Sequence, residues 1–338
     1  MSEPAVKVTR GSIVESVHRV DVAVADGSGD VLYWVGDPNK VTYWRSCAKP
    51  IQAIPVIETG AAERFGFDDR EIAVMCASHS GECAHVTTVA GILRKIGLPD
   101  AALACGVHPP LDRDSSRRLT ACGVAPWQLH SNCSGKHSAM LAVAVHLGYS
   151  VQGYYRVDHP VQRIMLREVS LFTGVPQRDI AIGVDGCGVP VFGLSLASMA
   201  RAFATLASPD HLMTDVACAK AARRVCRAMR THPHMVAGRG RLTTDLMRVA
   251  GDRVVAKSGA EGVYCVGLLE RGLGVAIKIE DGSTRAVGPL VLEVLARMGA
   301  LEAGHLRALA PHHRPQVLNH RGEAVGEIVV DFELKSRR

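Results

Sequence analysis

Both ends of this chain alternate apolar and polar residues, and the long stretch between them does not. Residues 5–35 alternate around turn signals at Gly11 and Asp26-Gly27-Ser28-Gly29, so 20–25 and 31–35 read as a hairpin of antiparallel strands. Near the other end, two apolar runs at 263–269 and 274–279 read as paired strands, and 317–332 alternates around Arg321-Gly322 like a final hairpin. From about 83 to 175 the pattern is helical, at 85–96, around 117–122, 138–147 and 159–172, broken by Pro109-Pro110 and by glycines. Helical periodicity returns at 191–206, where Pro190 can start the element, and at 208–230, 243–250 and 286–298, the last capped by Asp281-Gly282-Ser283. Strands supplied by both termini must meet in one sheet to satisfy their hydrogen bonds. The expected fold is therefore α/β of the α+β type: a mostly antiparallel sheet from both termini, flanked by helices, with an inserted helical region. No internal repeat, low-complexity segment or linker interrupts it. A single domain over 1–338 is expected, its sheet subregion at about 1–80 and 240–338 and its helical or mixed subregion at about 81–239.

Composition excludes several classes of function. No apolar run reaches the roughly 18 residues of a membrane span, and residues 1–11 lack the apolar core of a secretory signal. The expectation is a cytoplasmic protein that does not engage a membrane. The net charge of +6 is dispersed and aromatic residues make up only 4%, which argues against a stacking surface for nucleic acid. Ten cysteines without a Cys-x-x-Cys, in a chain this large, argue against a disulfide framework. Cys76, Cys105, Cys218 and Cys265 lie among apolar or small residues and read as buried hydrophobes, whereas Cys133 and Cys187 lie in polar turns.

Chemistry concentrates in a few short stretches. Arg45-Ser46-Cys47-Ala48-Lys49-Pro50 contains the single Ser-x-x-Lys of the chain, at the start of an apolar run. It reads as a helix with Ser46 at or near the N-cap, kinked or shortened by Pro55. Residues three apart on a helix share a face, so Lys49 would lie beside the Ser46 hydroxyl. A serine hydroxyl is a poor nucleophile until a base removes its proton, and a neutral lysine can do so. The bland alternative is a capped helix with a solvated lysine. After a further apolar element opened by Asp68-Asp69-Arg70-Glu71 comes Cys76-Ala77-Ser78-His79-Ser80-Gly81-Glu82, a small and polar loop of the kind a site at the end of a buried element needs.

Nine polar or small residues, 130–138, directly precede an apolar helix and are costly to bury unless satisfied by a ligand, a metal or one another. Asp185-Gly186-Cys187-Gly188 forms a second such spot. Two cysteines on separate turns, with His137 and Asp185 close in sequence, are compatible with a zinc site, although the spacing matches no zinc-finger pattern. On these grounds His137 would be the third ligand. Lys257 lies in Ala256-Lys257-Ser258-Gly259, at a Gly-rich sheet edge. It is either a solvated lysine at a hairpin or a second amine facing the site, paired with a serine such as Ser78. Ser-x-x-Lys on a helix, a serine loop and a late Lys-x-Gly beside a strand also make up the site plan of penicillin-recognising serine enzymes.

These stretches, in this order, together with Asn132-Cys133-Ser134-Gly135-Lys136-His137 and Ala260-Glu261-Gly262, resemble the Rhizobium-type (asparaginase II, class 3) L-asparaginases. The fold of that family is similar to serine β-lactamases and glutaminases. The resemblance runs from Arg10-Gly11 to Gly322-Glu323-Ala324-Val325-Gly326. It implies hydrolysis of L-asparagine to L-aspartate and ammonia by a homodimeric enzyme. It also implies that Ser46 is the nucleophile activated by Lys49, that Ser78 and Lys257 form a second Ser-Lys pair, and that Cys133, Lys136 and Cys187 bind zinc. Arg45, Asn132, His137 and Asp185 are then expected near the substrate, so the resemblance replaces His137 by Lys136 as third ligand. Rival readings are a related serine amidohydrolase acting on glutamine or another small amide, and a zinc-stabilised binding protein without catalysis.

Overall fold

A computed structural model of the protein describes residues 1–213 and 215–337. These residues form two compact units, one of 1–47, 194–207 and 245–338, the other of 48–193 and 208–244.

The first unit is built on an antiparallel sheet. Its strands run in the order Gln316–Leu318, Ala324–Val330, Glu3–Arg10, Ile13–Asp26, Leu273–Ile279, Val263–Leu268, Val254–Ser258. Val31–Val35 also pairs with Ile13–Asp26 and carries the short strand Lys335–Ser336 on its other side. Strands from both termini lie side by side: Val6 pairs with Val330 and Val8 with Ile328. Val20, Val22 and Val24 pair with Ile279, Ile277 and Val275, and these β-branched residues are all buried. The central strands are buried on both faces, so they read as apolar runs with no clean alternation. Helix Leu196–Ala207 packs against strands Ile13–Asp26, Leu273–Ile279 and Val263–Leu268. Close approach is possible because Gly274 and Gly267 face its backbone: a Cβ on Gly274 would stand 1.8 Å from the Ala200 carbonyl oxygen.

The second unit is largely helical and wraps a buried helix, Lys49–Glu58, against helices Ser134–Leu147, Pro160–Thr173 and Val216–Thr231. All of its residues except the last are buried, from Lys49 to Ile57. Helix Asp69–Met75 starts at a capping box, Asp68 accepting from the Glu71 N–H and Glu71 from the Asp68 N–H. A hairpin, Ala181–Val184 with Pro190–Ser195, stands beside the helices.

Several local expectations are corrected. Ser46 is not an N-cap: Arg45–Ala48 is a 3-10 turn, and the α-helix begins at Lys49 with Ala48 as its cap. The helix also continues past Pro55 to Glu58, so Pro55 does not end it. The run 191–206 splits into strand Pro190–Ser195 and helix Leu196–Ala207, because the buried Val191 and Phe192 pair with Gly183 and Ile182. Pro190 thus opens a strand, a position that needs no ladder N–H from it. The polar run 130–138 does not all precede its helix, which begins at Ser134. Between Asp281-Gly282-Ser283 and helix Val287–Arg297 lies a 3-10 turn, Thr284–Ala286. The expected helix 208–230 is helical at Pro209–Leu212 and Val216–Thr231, and residue 214 within it lies outside the described residues.

Candidate active site

In the first unit, the Ser46 turn is tied to the Lys257 strand through Cys47. The Cys47 thiol donates to the Lys257 carbonyl oxygen at 3.1 Å and lies 3.8 Å from that of Val263. Gly259 makes room for this sulfur, since a Cβ there would come within 3.1 Å of it. On the other side of the turn, the buried Trp44 packs edge-on against Phe203 at 6.3 Å. Arg45, directly before the serine, has φ 51°, a left-handed conformation that costs a non-glycine residue energy and persists only where its surroundings impose it. Ser46 and Arg45 are half-buried. Lys257 lies within strand Val254–Ser258 opposite Cys265, with no exposed surface, and its ammonium donates to the Ser258 carbonyl at 2.7 Å. A solvated lysine at a hairpin is thereby ruled out.

The second unit gathers most of the other expected site residues around the start of its central helix. Lys49 is 1% exposed. Its Nζ donates to the Ala77 carbonyl at 2.7 Å, to Ser78 Oγ at 3.0 Å and to the Asn132 carbonyl at 3.3 Å, and lies 3.2 Å from Cys133 Sγ. No carboxylate is among its partners in the described residues.

The loop that carries Ser78 is pinned at both ends. The Ser78 N–H donates to the Val236 carbonyl, and the Ser80 hydroxyl to that of Ala237. Between them, His79 accepts at Nδ1 from the Gly81 N–H, so its proton sits on Nε2 and reaches Ser134 Oγ at 2.8 Å. Burial, then the neighbouring His85, lowers the pKa of His79 well below the ordinary value, which keeps it in this neutral form.

Gly135 fixes where helix Ser134–Leu147 starts. A Cβ there would stand 2.0 Å from the Val74 carbonyl oxygen, so only glycine lets this helix touch helix Asp69–Met75. That contact brings Cys133 to Lys49 and sets Lys136 on the next turn. Asp185 and Cys187 come from the tight turn of the Ala181–Val184 hairpin, closed by the Gly188 N–H to the Asp185 carbonyl, with Gly188 at φ 88°.

Lys136 Nζ lies 3.0 Å from Cys187 Sγ and 3.9 Å from Asp185 Oδ2. Both Cys133 and Cys187 are buried despite their polar turns. A hydrogen bond from Cys187, then Lys49 and Lys136, lowers the pKa of Cys133 well below that of an ordinary thiol, against the effect of burial. The same bond and burial raise the pKa of Cys187. Burial opposes the Lys136 ammonium, but Cys133, Cys187 and Asp185 outweigh it and raise its pKa. Two cysteine sulfurs and an amine nitrogen are thus gathered in buried positions, and the sulfurs are donors of the kind zinc takes. His137, the third ligand expected from the residues alone, is instead engaged at Nδ1 by the Tyr154 hydroxyl, 2.6 Å away. Asn132 is half-buried, with its N–H donated to His108 Nε2 at 3.0 Å.

Sequence reasoning missed Tyr154. Only 4% of the chain is aromatic, and the adjacent Tyr154-Tyr155 pair was a signal that could have been read. It also missed two groups of potential metal ligands whose donor atoms lie within 4.8 Å of one another: Glu82, His85 and His234, and Glu58, Glu168 and Cys218. In the first, both His85 ring nitrogens are occupied, by the Glu82 N–H and the His234 carbonyl. In the second, Arg167 already supplies the cation to both glutamates.

The first unit thus holds a serine beside a strained residue and a buried lysine, and the second a buried lysine beside serine and cysteine. Residues 6–330 match the family model of L-asparaginase II, and the chain belongs to that family, whose members hydrolyse amides. No curated protein sequence matches this chain. Among solved structures it is similar to a β-lactamase from Mycobacterium bovis, at 14% identity and a TM-score of 0.44, over 83% of this chain and 95% of that one. It is also similar to simvastatin synthase from Aspergillus terreus, at 14% identity and a TM-score of 0.36, over 77% of this chain and 86% of that one. No helix among the described residues is long and apolar enough to cross a membrane.

Proposed function

We propose that the protein is an L-asparaginase, hydrolysing the side-chain amide of L-asparagine to L-aspartate and ammonia. The observation that carries this reading, beside the family membership, is the buried Lys49 amine 3.0 Å from a serine hydroxyl, with no carboxylate partner among the described residues. A lysine in contact with a serine hydroxyl is placed to exchange a proton with it.

In this reading Ser46 Oγ attacks the amide carbon while its proton passes to Lys49, three residues along the chain. Backbone N–H groups near Ser46 hold the tetrahedral oxyanion. Collapse breaks the C–N bond, and Lys49 or Lys257 protonates the nitrogen, which leaves as ammonia. Water then cleaves the acyl-enzyme to aspartate and restores Ser46. Ser78, which accepts from Lys49, serves as a proton relay for this lysine. Arg45, Asn132, His137 and Asp185 orient the substrate.

Cys133, Lys136 and Cys187 would hold zinc, with water completing the shell. A bound zinc ion would supply positive charge that orients substrate and braces the two cysteine turns. Because thiol and ammonium must lose protons to ligate, metal uptake releases protons and weakens in acid. Family resemblance supports a homodimer in which both compact units act as one asparaginase domain.

Ammonia release from L-asparagine and L-glutamine, before and after chelation, tests the reading. Turnover of asparagine well above glutamine is expected. Silence on both amides from folded, zinc-loaded protein would overturn it, and preference for glutamine would reassign the substrate.

A further inference from the structure

Tyr154 belongs to none of the stretches that carry the family resemblance, yet it is 1% exposed and its hydroxyl makes two hydrogen bonds. The Ala104 N–H donates to Tyr154 Oη at 2.8 Å, and His137 Nδ1 lies 2.6 Å from the same oxygen. The two rings meet edge-to-face at 5.5 Å, and Gln162 donates to the Tyr154 carbonyl at 2.8 Å, which fixes the backbone. A neutral phenol has one proton to give. With the Ala104 amide already donating to the oxygen, the acceptor left for that proton is His137 Nδ1. The histidine proton is then on Nε2.

The other neutral tautomer fares worse. With a proton on Nδ1, the imidazole and the amide would both donate to Oη, and the phenolic proton would have no acceptor. His137 Nε2 is buried and has no hydrogen-bond partner among the described residues. Buried polar atoms are nearly always paired, so an orphan of this kind points to a missing ligand. His137 also lies in the first turn of the 14-residue helix Ser134–Leu147, where the helix dipole favours an anion.

We propose that Tyr154 is a positioning residue that locks His137 in the Nε2–H tautomer, so that His137 presents a fixed hydrogen-bond donor to a carboxylate oxygen of the substrate. This rests on the reading above that His137 faces the substrate. Histidine donates to a carboxylate only from a protonated nitrogen, so the opposite tautomer would meet the anion with a lone pair.

The test is the long-range proton–nitrogen correlation spectrum of histidine-labelled protein, with His137 assigned among the 15 histidines by the His137→Gln variant. The expected result is a protonated Nε2 and an unprotonated Nδ1 for His137 in the wild-type protein. In Tyr154→Phe this preference is lost, and KM for L-asparagine rises about tenfold with a smaller change in kcat, the size of one lost hydrogen bond to a charged group. A protonated Nδ1 in wild-type protein overturns the proposal, as does a Tyr154→Phe variant with unchanged spectrum and KM. Should that variant not fold, the wild-type spectrum alone decides. An active enzyme with protonated Nδ1 overturns the tautomer lock and leaves the asparaginase reading standing. An Nε2–H spectrum without any ammonia release overturns the asparaginase reading instead.

Discussion

A serine hydroxyl is the one group whose loss no neighbouring base can compensate, so Ser46 carries the sharpest single-residue prediction. Ser46→Ala should lower kcat for asparagine by on the order of 10⁴ or more, while the unfolding midpoint stays close to wild type. Activity near the wild-type rate would remove Ser46 from the mechanism. Cys133→Ala deletes a sulfur that touches Lys49 and is hydrogen-bonded with Cys187. Zinc content by atomic absorption should drop to background in this variant, with weakened substrate binding; undiminished zinc would place the metal elsewhere. How far these residues could be read from sequence depended on what each needs. Ser46 and Lys49 announce themselves by spacing. The partners of Lys49 come from residues 77, 78, 132 and 133, which no local pattern connects to it. The link from Tyr154 to His137 has no local pattern for the same reason: it depends on one hydroxyl meeting one ring nitrogen 17 positions away.

Among the elements, the contact between helices Ser134–Leu147 and Asp69–Met75 is held by the absence of one carbon atom. Gly135→Ala would drive a Cβ into the Val74 carbonyl, so the helices must part. A loss of about 3 kcal/mol or more is expected from urea unfolding, along with lowered zinc affinity as Cys133 and Lys136 shift. Wild-type stability in this variant would show that the contact is loose. Helix Asp69–Met75 is also tied to helix Val216–Thr231 by Asp69, which meets Arg227 at 2.9 Å and Arg224 at 3.3 Å. Burial raises the Asp69 pKa, but the two guanidinium groups outweigh it and hold it below the usual carboxylate range. A pKa lowered on folding adds stability above the unfolded value of about 3.9, and that stability is lost as pH falls through the folded value. Asp69→Asn should therefore cost about 1 kcal/mol near neutral pH and almost nothing in strong acid, as read by urea melts at both. Elements were legible where periodicity was unambiguous. The hairpin of Ile13–Asp26 and Val31–Val35 and the helices Cys83–Lys95 and Pro160–Thr173 follow from pattern and turn residues. The run through Val191 and Phe192 was misread because a short apolar stretch fits a buried strand as well as a helix, and only its pairing with Ile182 and Gly183 decides.

For the whole molecule, the ten cysteines form no disulfide among the described residues, and of the ten Cys83 and Cys122 are exposed. Reductant should leave the melting temperature unchanged, and a thiol reagent should label Cys83 and Cys122 in native protein long before the buried cysteines. Fast labelling of more than these two would show that the buried thiols open to solvent. The sheet, with strands from both ends of the chain, was foreseen because alternation at the termini leaves few other ways to satisfy its edges. The pairing of Val6 with Val330 has a kinetic consequence. Residues 48–193 are one uninterrupted stretch of the second unit, whereas the sheet cannot close until Ala324–Val330 has been synthesised. Contacts of such long sequence separation form slowly, because the loop entropy is spent before the pairing rewards it. During synthesis the strand Glu3–Arg10 waits, its hydrogen-bonding edge uncovered, for Ala324–Val330, which is made long after it.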